Sequence, residues 1–434
     1  MTTADTHRTI DAVWRIESPR IIAGIARMVR DLGLAEELAQ DALVAALEQW
    51  PASGIPDNPG AWLTAAAKHR AIDHFRRHKR LEQKHQELKY QQEGQQNVPD
   101  YDNALDDEFG DDLLRLVFTA CHPLLSAEAR VALTLRLLGG LTTAEIARAY
   151  LISEATVAQR IVRAKRTLAE NRVPFEVPRG QELAARLASV LEVLYLIFNE
   201  GYTATAGSDW TRPALCEEAL RLGRILAELV PNDPEVHGIV ALMEIQASRS
   251  RARLSRSGEP ILILNQNRAL WDQLLIRRGL AALERAQKLG GSPGPYTLQA
   301  AIAACHARAL VAEETDWKRI AALYADLLQL MPSPIVELNR AVAIAMAFGP
   351  EAGLALVDPL ASEPALQNYH LLPSVRGDLL TKLGRFDEAR TQFERAAALT
   401  QNARERELLL VRAQHALNLS NSRGRSQVQP DPER

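Results

Sequence analysis

Apolar residues recur at helical spacing through most of the first 80 positions of the chain. The apolar positions of the first segment are Ile10, Val13, Trp14, Ile21, Ile22, Ile25 and Val29. They return every three or four residues, as on one face of an amphipathic helix. A second helix is predicted over Ala35–Trp50, with Pro51 at its end, and a third over Ala61–Arg80. We expect a small helical domain over residues 8–80.

The helical pattern is interrupted between residues 81 and 112. This stretch is polar and rich in Gln, and seven acidic residues fall between Asp100 and Asp112 with no Lys or Arg among them. Such a composition cannot bury enough apolar surface to fold by itself. It predicts an acidic, flexible linker.

Helical periodicity resumes after the linker and continues almost to the end of the chain. Pro174 and Pro178 interrupt it once, and the following Ala- and Leu-rich part is divided by Pro and Gly pairs. We predict an all-α protein with two small helical domains joined by a flexible linker, followed by an α-helical, repeat-like extension. The predicted segments after the linker are 113–172, 181–291, 296–419 and a disordered tail at 420–434.

Composition restricts where nucleic acid could bind. The 434 residues carry a formal net charge of -3, so any DNA-binding surface must be local. The three cysteines, Cys121, Cys216 and Cys305, form no CxxC pair. We interpret them as small buried residues in a reducing cytosol, and we predict no metal and no cofactor. The chain start lacks a signal-peptide pattern and no run reaches about 18 apolar residues, which predicts a cytoplasmic protein with no membrane contact.

Residues 141–168 predict a helix-turn-helix. Thr142 or Thr143 can cap a short first helix, and Ser153 can cap a second that is rich in Arg and Lys. Val157 and Ile161 would face the core. One local preference is broken, because Leu151 stands at the turn where Gly often occurs.

The opposite side of the second helix carries candidate DNA contacts. These are Ser153, Glu154, Ala155, Thr156, Gln159, Arg160, Arg163 and Arg166. Gln and Arg can make paired hydrogen bonds to base edges, whereas Lys165 and Arg166 suit phosphate. The alternative is an ordinary helical hairpin with a solvated basic face.

A second basic segment lies at Lys68–Arg80, with six Lys or Arg against one Asp. Its charge would attract a phosphate backbone. A helix end that complements its own dipole explains the segment equally well. The pairing of two DNA-like segments across one linker favours the DNA interpretation.

Residues 8–172 resemble a bacterial RNA polymerase sigma factor of the extracytoplasmic-function type. AEELAQDALVAALEQW (35–50) is similar to the family's core-polymerase-binding helix, and AWLTAAAKHRAIDHFRR (61–77) to the helix that recognises and melts the −10 element. Residues 141–168 are similar to the unit that reads the −35 element. All three occur in the family's order. The resemblance implies that the first domain binds the clamp helices of the polymerase β′ subunit and the second the β flap, with promoter DNA as the shared partner.

The resemblance also implies two sets of site residues in the first domain. The core-polymerase-binding set is Glu37, Gln40, Asp41 and Val44, and the −10-binding set is Lys68, His69, Arg70, Arg76 and Arg77. His69 departs from the Asn that is common in the family. Asp73 is expected to pair with a neighbouring Arg, and Trp62 to pack in a core or interface.

The segment 377–399 fits the spacing of a tetratricopeptide repeat. Its matching positions are Gly377, Gly384, Phe386, Ala389, Phe393 and Ala396. Tyr324, 69 residues before Phe393, fits two repeat periods, so we predict at least three repeats with a generic α-bundle as the alternative. Such repeats could bind a protein or peptide. The chain resembles the sigma-factor subgroup with this type of extension, which makes the extension a candidate regulator.

Two further segments were considered as sites. The polar group Asn199, Glu200, Tyr202 and Thr203 has no base–nucleophile pair or metal set, so we interpret it as a helix end anchoring a loop. Residues 259–272 suggest a short strand or hairpin.

Taken together, these patterns predict a promoter-specificity subunit and not an enzyme. A ligand-sensing transcription regulator that acts without polymerase, and a scaffold that has lost DNA function, are the alternatives.

Overall fold

The computed structural model describes residues 3–87, 109–150, 152–203, 211–256 and 258–427. Within these ranges the protein is all-α, as predicted, with 18 α-helices, five short 3-10 helices and one isolated antiparallel bridge between Leu254 and Pro260. The chain divides into two compact units, Met1–Leu196 and Ile197–Arg434.

The first unit contains seven complete helices and most of an eighth. They are α1 (Thr3–Val29), α2 (Leu32–Ser53), α3 (Pro59–Glu87), α4 (Phe109–Ala120), α5 (Ala127–Leu137), α6 (Thr143–Tyr150), α7 (Glu154–Glu170) and α8 (Gln181–Tyr202). The Asp31 side chain caps α2 by accepting a hydrogen bond from the Leu34 amide at 2.8 Å. Buried apolar side chains from α1, α2 and α3, including Ile21, Trp50 and Leu63, form the core of the first domain.

Helix α8 is fixed to the second helical domain at its N-terminal end. The buried Arg186 donates to the Phe118 carbonyl at 2.8 Å, and Ser189 donates to the Cys121 carbonyl at 2.6 Å. Arg130 in α5 forms an ion pair with Glu192 at 2.9 Å. The first unit therefore extends through residue 196, beyond the Pro174 and Pro178 boundary that composition suggested.

The second unit is a succession of helices. They are α9 (Pro213–Leu229), α10 (Pro234–Ala247), α11 (Gln273–Leu289), α12 (Pro295–Arg308), α13 (Trp317–Leu330), α14 (Pro334–Phe348), α15 (Pro350–Leu360), α16 (Leu371–Lys382), α17 (Phe386–Leu399) and α18 (Ala403–Gln427). Small residues permit close approach of neighbours, because a Cβ at Gly377 would lie 2.8 Å from the Phe393 ring. Phe393 belongs to the buried core of α14–α18. Tetratricopeptide repeats stay a prediction.

Several boundaries differ from those expected. Helix α3 continues to Glu87 and α4 begins at Phe109, so both ends of the expected linker are helical. Helix α18 continues to Gln427, and residues 420–427 of the expected tail belong to it. Residues 259–272 form two 3-10 turns and one side of the isolated bridge instead of a strand or hairpin. The predictions for Leu151 and for residues 88–108, 204–210 and 428–434 fall outside the described residues.

Candidate polymerase-binding and DNA-binding surfaces

The predicted polymerase-binding residues lie on one side of α2. Glu37, Gln40, Asp41 and Val44 follow the spacing that puts residues on a common helix face. Glu37 and Asp41 are exposed, Gln40 is half-buried, and Val44 is 50% exposed. This face therefore presents one exposed apolar residue, Val44, among carboxylate and amide groups.

A buried carboxylate lies beside this face and was missed by the sequence analysis. The Glu36 side chain is only 5% exposed and forms ion pairs with Arg136 of α5, at 2.6 Å, and with Lys165 of α7. Gln40 also donates to Glu36 Oε1, at 2.6 Å. We call Glu36, Arg136 and Lys165 the Glu36 cluster. Its cations come from residues 100 and 129 positions away in sequence, so no local pattern indicated it.

A second contact joins the same two helical domains. Arg15 of α1 pairs with Glu145 of α6. Gly140, with φ of 65°, packs its backbone against α1, where a Cβ would lie 3.4 Å from Arg15 Cα. A positive φ and this close approach both favour glycine. In this structure the helix-turn-helix domain is therefore packed on α1 and α2.

The predicted −10 residues lie along α3. His69, Arg76 and Arg77 are exposed, whereas Lys68 and Arg70 are half-buried. Arg70 Nη1 donates to the Ala66 carbonyl at 3.3 Å. The exposed guanidinium groups form a basic strip on the C-terminal half of this helix.

Two expectations about this helix are confirmed and one residue was overlooked. Asp73 lies 3.8 Å from Arg76, as an ion-pair partner, and the Trp62 ring packs edge-on against the buried Trp50 at 5.3 Å between centroids. The overlooked residue is Phe75, which is 38% exposed and lies among the basic side chains. Its position immediately before Arg76 and Arg77 could have indicated it, because single-stranded DNA sites combine cations with aromatic rings.

The helix-turn-helix has the local interactions that its sequence predicts. Thr142 and Glu145 form a reciprocal capping box, with bonds of 2.8 Å from the Thr142 amide and 3.1 Å from the Glu145 amide. Ser153 caps α7 by accepting from the Thr156 amide at 3.1 Å. The buried side of α7 comprises Val157, Ile161, Ala164 and Leu168.

The other side of α7 carries the predicted DNA contacts. Ser153, Glu154, Ala155, Gln159, Arg163 and Arg166 are exposed, and Thr156 and Arg160 are half-buried. Arg166 pairs with Glu170 at 2.6 Å on the surface. Val162, which is 63% exposed on the same side, was not predicted. Lys165 differs from expectation, because Glu36 already holds the ammonium group that was expected to meet phosphate.

The remaining candidate chemistry is structural. Burial raises the pKa of the Cys121 thiol to about 11 and that of Cys216 to about 12, so both stay protonated at neutral pH. Cys305 is half-buried. No group of three or more His, Cys, Asp or Glu residues in the described ranges is arranged to hold a metal ion. Of the helices described, none has the length and apolar character needed to cross a membrane.

The polar group at the end of α8 is tied to the loop after α10. Arg253 donates to the Tyr202 carbonyl and, at 3.0 Å, to Thr203 Oγ1. Glu200 pairs with Arg212. These contacts support the interpretation of this segment as an anchored helix end.

Comparison with known families and proteins agrees with this geometry. Residues 14–81 match the model for Sigma-70 region 2, and residues 115–168 match Sigma-70, region 4. Residues 186–287 match a family of unknown function, DUF6596. Helix α2 and most of α3 lie within the first match, and α6 and most of α7 lie within the second.

Two relatives extend this result. An uncharacterized protein of Rhizobium meliloti (strain 1021) is 43% identical over 402 residues, which cover 92% of this chain and 93% of that protein. A probable ECF RNA polymerase sigma factor, SigI, of Mycobacterium tuberculosis is 28% identical over 175 residues, covering 40% of this chain and 59% of that protein. With both sigma regions in order and their exposed faces on α2, α3 and α7, the chain belongs to the sigma-70 family and is a promoter-recognition sigma factor with a helical C-terminal extension.

Proposed function

We propose that this protein is a sigma factor of the extracytoplasmic-function type that binds core RNA polymerase through α2 and contacts promoter DNA at two places. The observation that carries the proposal is the joint presence of an acceptor-rich exposed face on α2 and a basic exposed face on α7 within the two matched sigma regions. The protein recruits the polymerase and leaves RNA synthesis to it.

The proposed polymerase contact uses Glu37, Gln40, Asp41 and Val44 against the β′ clamp helices. Carboxylates on the rim would attract a basic partner and orient it, while the exposed Val44 supplies apolar area at the centre. The domain containing α4–α7 would contact the β flap.

The proposed DNA contacts divide between two elements. On α3, Lys68, His69, Arg70, Arg76 and Arg77 would hold the melted −10 strand, and Phe75 would stack on a base. On α7, the polar residues from Ser153 to Arg166 would read the −35 element, and Val162 would contact a thymine methyl group.

The closed arrangement must open for this function. The −10 and −35 elements are separate sites along the promoter, so the domains that read them must reach different places on the DNA. Helix α7 is ion-paired to α2 in the closed form. The 21 residues between α3 and α4 could span at most roughly 70 Å when extended, which permits the two domains to separate. We propose that the Glu36 cluster holds the free protein in the closed form and breaks when polymerase binds.

We propose that the extension regulates the sigma domains through α8. Arg186 and Ser189 bind carbonyl groups of the domain that contains α7, so a change in α8 would act directly on the −35-reading domain. The partner of the extension would be a protein or peptide that binds its helices.

Transcription with purified components tests the proposed function. The full chain would be added to core polymerase and genomic fragments, and start sites mapped from the run-off products. We expect initiation at a defined set of promoters only when both components are present. A ligand-sensing regulator would instead bind those fragments without polymerase. A scaffold would give no start sites, and either result would contradict the proposal.

A further inference from the structure

Three arginines of the second unit surround two aromatic rings in the segment after α10. The guanidinium carbon of Arg249 lies 5.7 Å from the ring centres of both Tyr202 and Trp271. Arg253 lies 3.5 Å from the Tyr202 ring and Arg268 4.9 Å from the Trp271 ring. We call Arg249, Arg253 and Arg268 the arginine cluster. It concentrates three positive charges around two rings.

Within the described residues, the hydrogen bonds of Arg249 and Arg268 use neutral acceptors. Arg268 donates to the carbonyls of His306 and Ala309, at 2.6 and 2.7 Å, and to Thr315 Oγ1 at 3.0 Å. Arg249 donates to the Tyr202 hydroxyl. In the described ranges, no carboxylate lies within 4.0 Å of Arg249 or Arg268. These two half-buried guanidinium groups therefore have no carboxylate at ion-pair distance in the described ranges, and Glu313 and Glu314 act on Arg268 only from farther away.

The positive charge of these arginines contributes to lowered pKa values of neighbouring groups. Burial lowers the pKa of Arg253, and the charge of Arg249 lowers it further. Burial also lowers the pKa of His306 to about 4, with Arg249 and Arg268 contributing, so this imidazole is neutral at physiological pH. An added negative charge would relieve the repulsion that these groups share.

Four buried nitrogen atoms here have no hydrogen-bond partner within the described residues. They are Arg249 Nε, Arg268 Nε, Trp271 Nε1 and His306 Nδ1. The first three are donors, and a neutral imidazole can donate from one nitrogen. Trp271 is 3% exposed and packs against Ala252 and Ile276, so its position is fixed. Buried donors without partners are rare in proteins and often indicate an ion or water.

We propose that the arginine cluster and Trp271 form a binding site for a phosphate group, either free or on a small molecule. A phosphate supplies the missing negative charge and several acceptor oxygens, and guanidinium groups match its geometry. A carboxylate would supply only two acceptor atoms for donors contributed by four side chains. The site is independent of promoter recognition, because all its residues belong to the second unit.

Thermal unfolding of the full chain in inorganic phosphate tests the site, with chloride at equal ionic strength as reference. We expect saturating phosphate to raise the Tm of the second unit's transition by about 3 °C or more. Arg249→Gln should weaken phosphate affinity at least about tenfold, as loss of a charged hydrogen bond requires. In chloride the same variant should be as stable as the parent or more so, because it removes repulsion.

Arg277→Gln is the matched control, since this exposed arginine lies on α11 outside the cluster. Trp271→Phe removes one donor but keeps an aromatic ring, and it covers the case in which an arginine variant unfolds. Acetate tests whether a carboxylate binds instead of phosphate. Glycerol phosphate tests whether the site prefers a phosphate group carried by a small molecule to free phosphate. Equal Tm increases in parent, Arg249→Gln and Trp271→Phe, or no increase in the parent, would overturn the proposal.

Discussion

The two compact units each contain a partly buried charge cluster, and the clusters are built in opposite ways. In the first unit, the carboxylate of Glu36 has two cations of the same chain beside it, Arg136 and Lys165. In the second, Arg249 and Arg268 have no carboxylate within ion-pair distance in the described ranges. The Glu36 cluster joins two helical domains by ion pairs within the chain. The arginine cluster has no such partner for Arg249 and Arg268 in the described ranges, which favours binding of a negatively charged ligand.

The largest effect is expected from breaking the completed cluster. Glu36→Ala leaves Arg136 and Lys165 partly buried without their carboxylate, which should destabilise the closed arrangement by about 2–3 kcal/mol. The two domains should then separate, and the radius of gyration from small-angle scattering should rise. Glu37→Ala, at an exposed neighbouring position, is the control. An unchanged radius with unchanged stability would show that Glu36 does not hold the domains together.

The next prediction distinguishes the exposed arginines of α7 from Lys165, which is paired with Glu36. Arg160→Ala together with Arg163→Ala should lower −35-dependent transcription by about 30–100-fold, because two contacts to base edges, each at the lower end of roughly 1–3 kcal/mol, sum to about 2–3 kcal/mol. Lys165→Ala should lower it far less and should instead open the closed arrangement. Run-off transcription measures the first effect and scattering the second. Full transcription by the double variant would rule out base reading by these arginines, and Arg179→Ala controls for lost charge.

A smaller effect is expected on the polymerase-binding face beside the Glu36 cluster. Gln40→Ala together with Asp41→Ala removes two polar contacts and should weaken core polymerase binding about tenfold. A titration of fluorescently labelled polymerase measures the affinity. Gln49→Ala, on another side of α2, should bind normally. If Gln40 acts only through its bond to Glu36, Asp41→Ala alone will account for the whole loss.

The smallest effect is expected outside both clusters, at Phe75. Phe75→Ala removes a partly exposed ring and should reduce promoter melting by about fivefold, which corresponds to the lower end of the roughly 1–3 kcal/mol that stacking contributes per base. Permanganate footprinting of open complexes measures melting directly. Phe75→Tyr should melt promoters normally. Equal melting by the alanine variant would assign Phe75 to another role.

The sequence predicts the features that depend on neighbours along the chain. Ser153 and Thr142 cap helices in the structure because capping joins residues two or three positions apart. The buried side of α7 follows from the 3.6-residue period in the same way. Pro51 was expected to end α2, but the helix continues two residues beyond it, to Ser53.

The features that the sequence did not predict join distant positions. Glu36 reads as one of several acidic residues in 35–50, and its burial depends on Arg136 and Lys165. The arginine cluster lies in the segment between α10 and α11 and packs on Tyr202 at the end of α8, and no motif marks it. Contacts between charged residues that are distant in sequence therefore could not be predicted from the local pattern.

Lys165 gives the closed form a measurable thermodynamic signature. Its ammonium group can neutralise Glu36 or a DNA phosphate, but not both at once. In the proposed mechanism, polymerase binding exposes Glu36 and frees a cation for the promoter, and by reciprocity promoter DNA favours the polymerase-bound form. The salt dependence of promoter binding by the holoenzyme should therefore be less steep for Lys165→Ala than for the parent by about one phosphate contact, or roughly 0.9 in the slope of log K against log salt. In the proposed mechanism, a single lysine couples recruitment of the enzyme to recognition of its template.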